Sequence, residues 1–303
     1  MIHKPITLLQ KVNGHTVNKK TVKKKDHRNS VVCYRKAQKP ITKNKENIMN
    51  NNTITKATPY RPSLASGGTV FNMNFDWQPV AQNDILVDLQ KAGYKLMGYK
   101  GAKGVGIVSA GLPTWFAVDT TDMFGLTDIN YTPVYKVYIY NEAVIGANTT
   151  ITMQVQSPEV ELGTLVTFDQ SGRFTTEPGA APAGQITVKN NQSATSKNVT
   201  VGLAAFVNGA YSPFCAFTSR PQNSVNMEPN EQVCIFMAQT GLVSGSVSAS
   251  STAPGCTFPY NASNIKYDLE MIPVTLGITT RSTSPSSVTP TSSGADLAQL
   301  LNS

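Results

Sequence analysis

From about residue 69 onward, apolar and polar side chains alternate in short runs with a period of two, which is the signature of half-buried β-strands. Ile265 to Met271 is the clearest run. There Ile265, Tyr267, Leu269 and Met271 alternate with Lys266, Asp268 and Glu270, predicting one buried face and one wet face. Thr149 to Gln156 repeats the pattern, with Ile151, Met153 and Val155 opposite Thr152, Gln154 and Gln156. Val134 to Tyr140 is apolar or aromatic on both sides except at Lys136, and Val233 to Ala238 is apolar throughout. Strands covered on both faces belong in the centre of a sandwich.

Turn chemistry divides these runs. Asp169-Gln170-Ser171-Gly172 separates Leu165–Phe168 from Arg173–Thr176 and predicts a hairpin with Gly172 at positive φ. Asn208-Gly209 after Val199–Val207 is the strongest short hairpin signal in the chain. Further strands are expected at 69–75, 115–118, 185–189, 214–218, 243–248 and 274–279, giving about a dozen at roughly regular spacing. A helix is expected only at Asp84–Ala92. The fold class that follows is all-β: an antiparallel β-sandwich, jelly-roll or Ig-like, over residues 69–280. It is preceded by a basic arm (1–48), expected to be disordered, and an Asn-, Thr- and Ser-rich linker (49–68). After Arg281 the composition turns to Ser, Thr and Pro, and 281–303 is expected to be a disordered tail closed by one helical turn at Ala295–Leu301.

Charge separates the arm from the body. The net charge of +8 conceals 13 of the 26 Lys and Arg in residues 1–48 against only Asp26 and Glu46, so the arm carries +11 and the remainder −3. Inferences from basicity therefore concern the arm, where Lys19, Lys20, Lys23, Lys24 and Lys25 are the candidate nucleic-acid ligands. The start has only Ile6 to Leu9 as an apolar stretch, too short for a signal peptide, and Val105 to Val118 is too interrupted to span a bilayer. A cytoplasmic protein, or one exported by a non-Sec route, is the expectation. Cys215, Cys234 and Cys256 have apolar neighbours and read as reduced core thiols, with Cys33 in the arm.

All three histidines, His3, His15 and His27, lie in the arm. A Ser-His-Asp triad, a Cys-His pair and a His-ligated metal all need an imidazole inside the fold, so the body is read as non-enzymatic, without cofactor or metal. Gly98-Tyr-Lys-Gly101-Ala-Lys-Gly104-Val-Gly106 reads as a flexible surface loop; its spacing is wrong for a phosphate-binding GxGxxG, although Lys100 and Lys103 there would suit an anionic ligand or lipid headgroup. Glu159/Glu161, Asp268/Glu270 and Asp119/Asp122 are spaced as carboxylate pairs, and Asp119, Asp122 and Asp128 could face calcium; solvated strand faces and loops explain them more simply. Tyr138 and Tyr140 share a predicted face with Lys136 and could stack on a sugar or base, or pack as core. Lys100, Lys103, Tyr138 and Tyr140 are thus the candidate ligand residues.

Val166-Thr-Phe-Asp-Gln-Ser-Gly-Arg-Phe-Thr, Gly184-Gln-Ile-Thr-Val-Lys and Val201-Gly-Leu, continuing through Ser219-Arg-Pro-Gln-Asn, Val243-Ser-Gly-Ser-Val and Thr257-Phe-Pro, resemble the rhizosphere-induced RhiA-type proteins over about residues 130–275. The resemblance implies a small β-sandwich with no assigned reaction, a host- or community-associated binding protein. The basic arm, and the lack of the Trp-rich strands usual in such proteins, depart from it. A second reading is a viral coat protein, with the arm neutralising packaged RNA. A third is a sugar- or lipid-binding lectin or pore former. Carbohydrate, a lipid headgroup, nucleic acid at the arm, and a second copy of the chain are the partners these readings name.

Overall fold

The computed structural model describes residues 68–104, 111–143 and 145–302, all within the compact unit Lys56–Ser303. The basic arm with Lys19, Lys20, Lys23, Lys24 and Lys25, and nearly all of the linker, lie outside the described residues.

Two eight-stranded sheets pack against each other, and the chain passes from one to the other repeatedly. It enters the first sheet at β1 (Phe71–Asp76), turns through helix α1 (Val80–Ala92), and enters the second with β2 (Tyr94–Gly104). A two-residue strand, β3 (Leu112–Pro113), precedes β4 (Phe116–Asp119), also in the second sheet. The long β5 (Leu126–Tyr140) and β6 (Val155–Val160) return to the first; β7 (Leu165–Phe168), β8 (Phe174–Glu177) and β9 (Ile186–Asn190) belong to the second. Strands β10 (Val199–Val207), β11 (Ala210–Pro213) and β12 (Phe217–Ser219) go back to the first, and β13 (Ser224–Gln239) returns to the second. After β14 (Val247–Ser248), which pairs with β3, the second sheet takes β15 (Gly255–Pro259) and the first takes β16 (Lys266–Met271) and β17 (Ile278–Thr280). Finally β18 (Thr289–Thr291) joins β15, and helix α2 (Leu297–Asn302) follows.

This is the expected all-β sandwich. Its pairs are antiparallel except β1 with β16 and β7 with β9. Repeated crossing between layers is the habit of jelly rolls, in which neighbours along the chain face each other across the core. The alternation in β16 places Tyr267, Leu269 and Met271 in that core. Both turn signals act as expected: Gly172 takes φ 74° in the β7–β8 hairpin, and Asn208 and Gly209 take φ 49° and 84° between β10 and β11, two left-handed residues in succession as a type I′ turn requires.

Four expectations need correction. The glycine-rich stretch from Gly98 is no surface loop as far as Gly104; it lies in β2, paired with β13 along most of its length. Its glycines answer to crowding, because a Cβ at Gly98 would stand 2.2 Å from the Phe116 ring and one at Gly101 would stand 2.1 Å from the Leu301 carbonyl. The segment after Arg281 is ordered: β18 extends the second sheet, and α2 buries Leu297 and Leu301 against Met97, Tyr99 and Phe236. Helix α1 starts at Val80, a turn earlier than expected, with Pro79 at its N-cap, and ends at Gly93 in the left-handed region. Of the run 149–156 only Val155 and Gln156 are in a strand; Ile151 instead packs beside Tyr138 and Tyr140 on the outer face of the first sheet.

Candidate functional site

Strand β2 alternates Leu96, Lys100 and Ala102 toward the interior with Met97 and Tyr99 toward α2, so Lys100 projects between the sheets. Opposite it β13 bulges: Pro229 pairs with Ala102 but Val233 with Lys100, and the surplus residues turn Glu231 to meet the amine. Lys100 Nζ lies 2.7 Å from Glu231 Oε2 and donates to the Asn230 main-chain carbonyl at 2.7 Å. The rings of Tyr131 and Phe214 flank the ammonium with centroids at 5.1 and 5.5 Å. From the other sheet, Tyr131 and Tyr135 each donate a hydroxyl to Glu231 Oε1, at 3.1 and 2.7 Å.

The Lys100 side chain is 0% exposed. Taking an ion pair out of water costs several kcal/mol per ion unless partners replace the water; here the Asn230 carbonyl serves the amine and two tyrosine hydroxyls serve Glu231 Oε1, while Oε2 faces the amine by charge alone. Burial pulls the Lys100 amine below its ordinary range, with Glu231 acting against that pull. Burial likewise raises the Tyr131 and Tyr135 phenols well above theirs, reinforced by the neighbouring carboxylate. An amine beside a carboxylate is part of what amide-bond formation requires. Here, however, Asn230 offers the amine a main-chain carbonyl while its carboxamide donates to the Leu301 carbonyl at 2.6 Å. The chemistry that fits this geometry is cross-linking of the two sheets by charge and hydrogen bonds.

The four candidate ligand residues do not converge. Lys100 is enclosed as described, which removes it from any surface anion site. Tyr138 is fully buried, donating its hydroxyl to the Cys215 carbonyl at 2.7 Å, and Tyr140 is covered beside it by Ile145 and Ile151. The reason is the segment between β5 and β6, which lies over the outer face and turns a stacking surface into a second small core. Lys136 instead stands over the Tyr211 ring at 4.4 Å. Only Lys103 is exposed, across from Glu228.

The carboxylates are dispersed too. Asp119 pairs with Lys95 at 3.4 Å, whereas Asp128 accepts from Asn72 at 3.1 Å. Among the described residues no group of three or more His, Cys, Asp or Glu could hold a metal ion. Asp268, expected on a wet face, is buried: Asn74 donates to it at 2.6 Å, Lys266 stands at 3.2 Å and Arg281 at 3.6 Å. Burial works against its charge, but the hydrogen bonds from Asn74 and Lys266 and the fields of Lys266 and Arg281 prevail and hold its carboxyl below the usual range. Cys215, Cys234 and Cys256 are free and buried, as expected, and burial pushes the first two thiols up to about 12, out of reach of ordinary thiolate chemistry.

Sequence reasoning missed Glu231, whose signal was a carboxylate opening an otherwise apolar run. It also missed a groove of about 290 Å³ along α1, lined by Ile85, Asp88, Leu89, Ala92, Tyr94 and Leu276 and edged by the exposed Val274. No helix among the described residues is long and apolar enough to cross a membrane. Comparison of the chain with protein-family models, with curated proteins and with solved structures gives no match.

Proposed function

We propose that this chain is a coat-type subunit, in which a β-sandwich body packs against copies of itself while the basic segment neutralises the phosphates of an enclosed RNA. The observation that carries this reading is the division of charge, +11 in residues 1–48 against −3 in all that follows. A segment so loaded binds phosphate without regard to sequence, and a weakly acidic body stays clear of the same polymer. One feature of the body agrees with a scaffold role: its two buried charge clusters, around Lys100 and around Asp268, are engaged within the fold.

The RhiA-like binding-module reading rests on the strand order quoted above and, of its four ligand residues, on the exposed Lys103 alone. Size-exclusion chromatography with light scattering on the full chain, with and without single-stranded RNA, separates the two. The coat reading expects particles of many tens of subunits with RNA, and an affinity whose logarithm falls by about 0.7 per neutralised phosphate for each unit of log salt. A monomer or small oligomer with no salt-dependent RNA affinity would overturn it.

A further inference from the structure

We propose that the end of the sandwich where the loops after β7, β9 and β12 meet is a contact for RNA phosphates within the body, an inference that deepens the coat reading and rests on it. The loops are 169–173, 191–198 and 220–223. Their meeting is fixed by the backbone. Lys189 stands between Thr167 of β7 and Ser224 of β13 in the second sheet. Just beyond it, Asn190 donates its main-chain N–H to the Asn223 carbonyl at 2.9 Å and accepts from the Gln222 N–H at 2.8 Å, while Asn191 donates to the Phe168 carbonyl at 2.9 Å. In the first sheet Val199 pairs with Ser219, so Lys197 and Arg220 stand just past the paired ends of β10 and β12.

Charge distinguishes this end from the rest of the body. Arg173, Lys189, Lys197 and Arg220 are all exposed, and none of them takes part in the ion pairs formed among the described residues. Two carboxylates share the neighbourhood. Asp169 is turned into its own hairpin, accepting from the Ser171 N–H and hydroxyl and from the Arg173 N–H. Glu142, whose main-chain carbonyl accepts from Thr200 at 2.6 Å, faces the Tyr140 hydroxyl. Four cations against two carboxylates contrast with the remainder of residues 68–303, where seven Lys and Arg stand against fourteen Asp and Glu. A polyanion that the remainder repels is drawn to this end.

The kind of polyanion follows from the side chains. Arginine presents a planar fork that matches phosphate oxygens, and the loops add Asn191, Gln192, Ser193, Thr195, Gln222 and Asn223, amides and hydroxyls of the sort that bond phosphate and sugar without reading a base. At the hub of the loops Asn190 is wholly buried. Its Oδ1 accepts from the Gln192 N–H at 3.1 Å, but its carboxamide nitrogen has no partner. A buried donor left over in a fold calls for an acceptor that the chain does not supply. Single-stranded RNA, the partner of the basic segment in the coat reading, brings phosphates, ribose hydroxyls and indifference to sequence together. The contact is small beside the +11 of residues 1–48, and its effect is to hold the RNA to the body.

The test is binding of polyuridylate by the full chain across a salt series. Arg173→Ser combined with Arg220→Ser should lower the slope of log affinity against log salt by about 1.4, roughly 0.7 for each lost phosphate contact, and weaken binding at low salt at least about tenfold. Lys91→Ser combined with Lys266→Ser removes the same net charge elsewhere and should leave the slope as in wild type. The two arginines are exposed and make no ion pair, so Tm should be unchanged in their double variant, which separates a lost contact from a lost fold. Thiouridine-substituted RNA should cross-link to 169–173, 189–198 or 219–224 as well as to the basic segment. Cross-links confined to residues 1–48, or equal slopes in the two double variants, would overturn the inference and leave the coat reading intact. Loss of binding to phosphatidylserine vesicles by the arginine variant, with its RNA slope unchanged, would overturn it in favour of a lipid surface. A lowered slope and cross-links in the body, without particles when RNA is supplied, would uphold the contact and overturn the coat reading. A full chain with no salt-dependent RNA affinity would overturn both.

Discussion

Two constellations of charge and hydrogen bonds hold this sandwich, and they differ in how much water reaches them. Between the sheets, Lys100 and Glu231 meet with the hydroxyls of Tyr131 and Tyr135 and no solvent at the amine. On the outer face of the first sheet, Asn74, Asp268 and Arg281 form a second cluster, roofed by the chain around Ser284 and open at its margin through Lys266. Each draws its members from strands far apart in sequence. What separates them is the cation: Lys100 is wholly enclosed, whereas Lys266 is half exposed and Arg281 one-fifth exposed.

The largest effect is therefore expected at the interior. Lys100→Met should destabilise the protein by about 3–5 kcal/mol in urea unfolding, because the shielded Oε2 of Glu231 loses the ammonium that faces it. Adding Glu231→Leu should recover a substantial part of that loss despite removing a second polar group. If single and double variants are equally unstable, the cost lies in packing around the lysine stem and not in stranded charge.

On the outer face, Asp268→Ala should cost about 1–3 kcal/mol, the range for a hydrogen-bonded charged group whose donors are left unpaired. A cost within about 0.5 kcal/mol would mean that water enters beneath the Ser284 segment and the contrast with the interior is sharper than drawn here. The same residue gives the molecule an acid dependence. Its folded-state pKa is depressed, so its stabilisation is fully present above the unfolded-state value of about 3.9 and is lost as pH falls through the lower folded-state value. In parallel acid titrations of stability, Asp268→Asn should have a shallower slope than wild type below about pH 4; identical slopes would assign the acid sensitivity to other carboxylates.

The smallest effect should come from Lys266→Ala. Its side chain is half exposed and its ion pair with Asp268 is screened, so less than about 1 kcal/mol is expected, shrinking as salt is added. A loss as large as that of Asp268→Ala would mean that the outer cluster acts as one unit, which a double-mutant cycle on the two residues would measure.

Much of the strand pattern was legible because alternation and turn chemistry are local. Tyr267, Leu269 and Met271 point inward as their spacing requires, and Asn208-Gly209 makes its hairpin from two residues alone. What was not legible depends on a third layer. Asp268 sits on the polar side of its strand, and only the later segment carrying Arg281 and Ser284 turns that side into an interior. Gly98 and Gly101 carry the same letters as turn glycines; their reason is Phe116 and α2 lying across the strand, which spacing within the strand cannot express. Lys100 drew notice as a free cation because its partner is 131 positions further along the chain, in a bulge that has no sequence signature. Tyr138 and Tyr140 were ambiguous between stacking surface and core for the same reason, since the covering segment alone decides.

The alternation of the chain between sheets has a consequence for how the molecule comes into being. The first strand of the first sheet lies beside β16, where Asn74 and Asp268, 194 residues apart, are hydrogen-bonded. Neither sheet can complete its pairing until nearly all of the described chain has left the ribosome, and loop closures this long are costly before they are rewarded. Folding should consequently be slow for a protein of this size, with half-formed sheet edges exposed meanwhile to neighbouring nascent copies. The interval between synthesis and β16 joining β1 is when mispairing competes most strongly with the native sandwich.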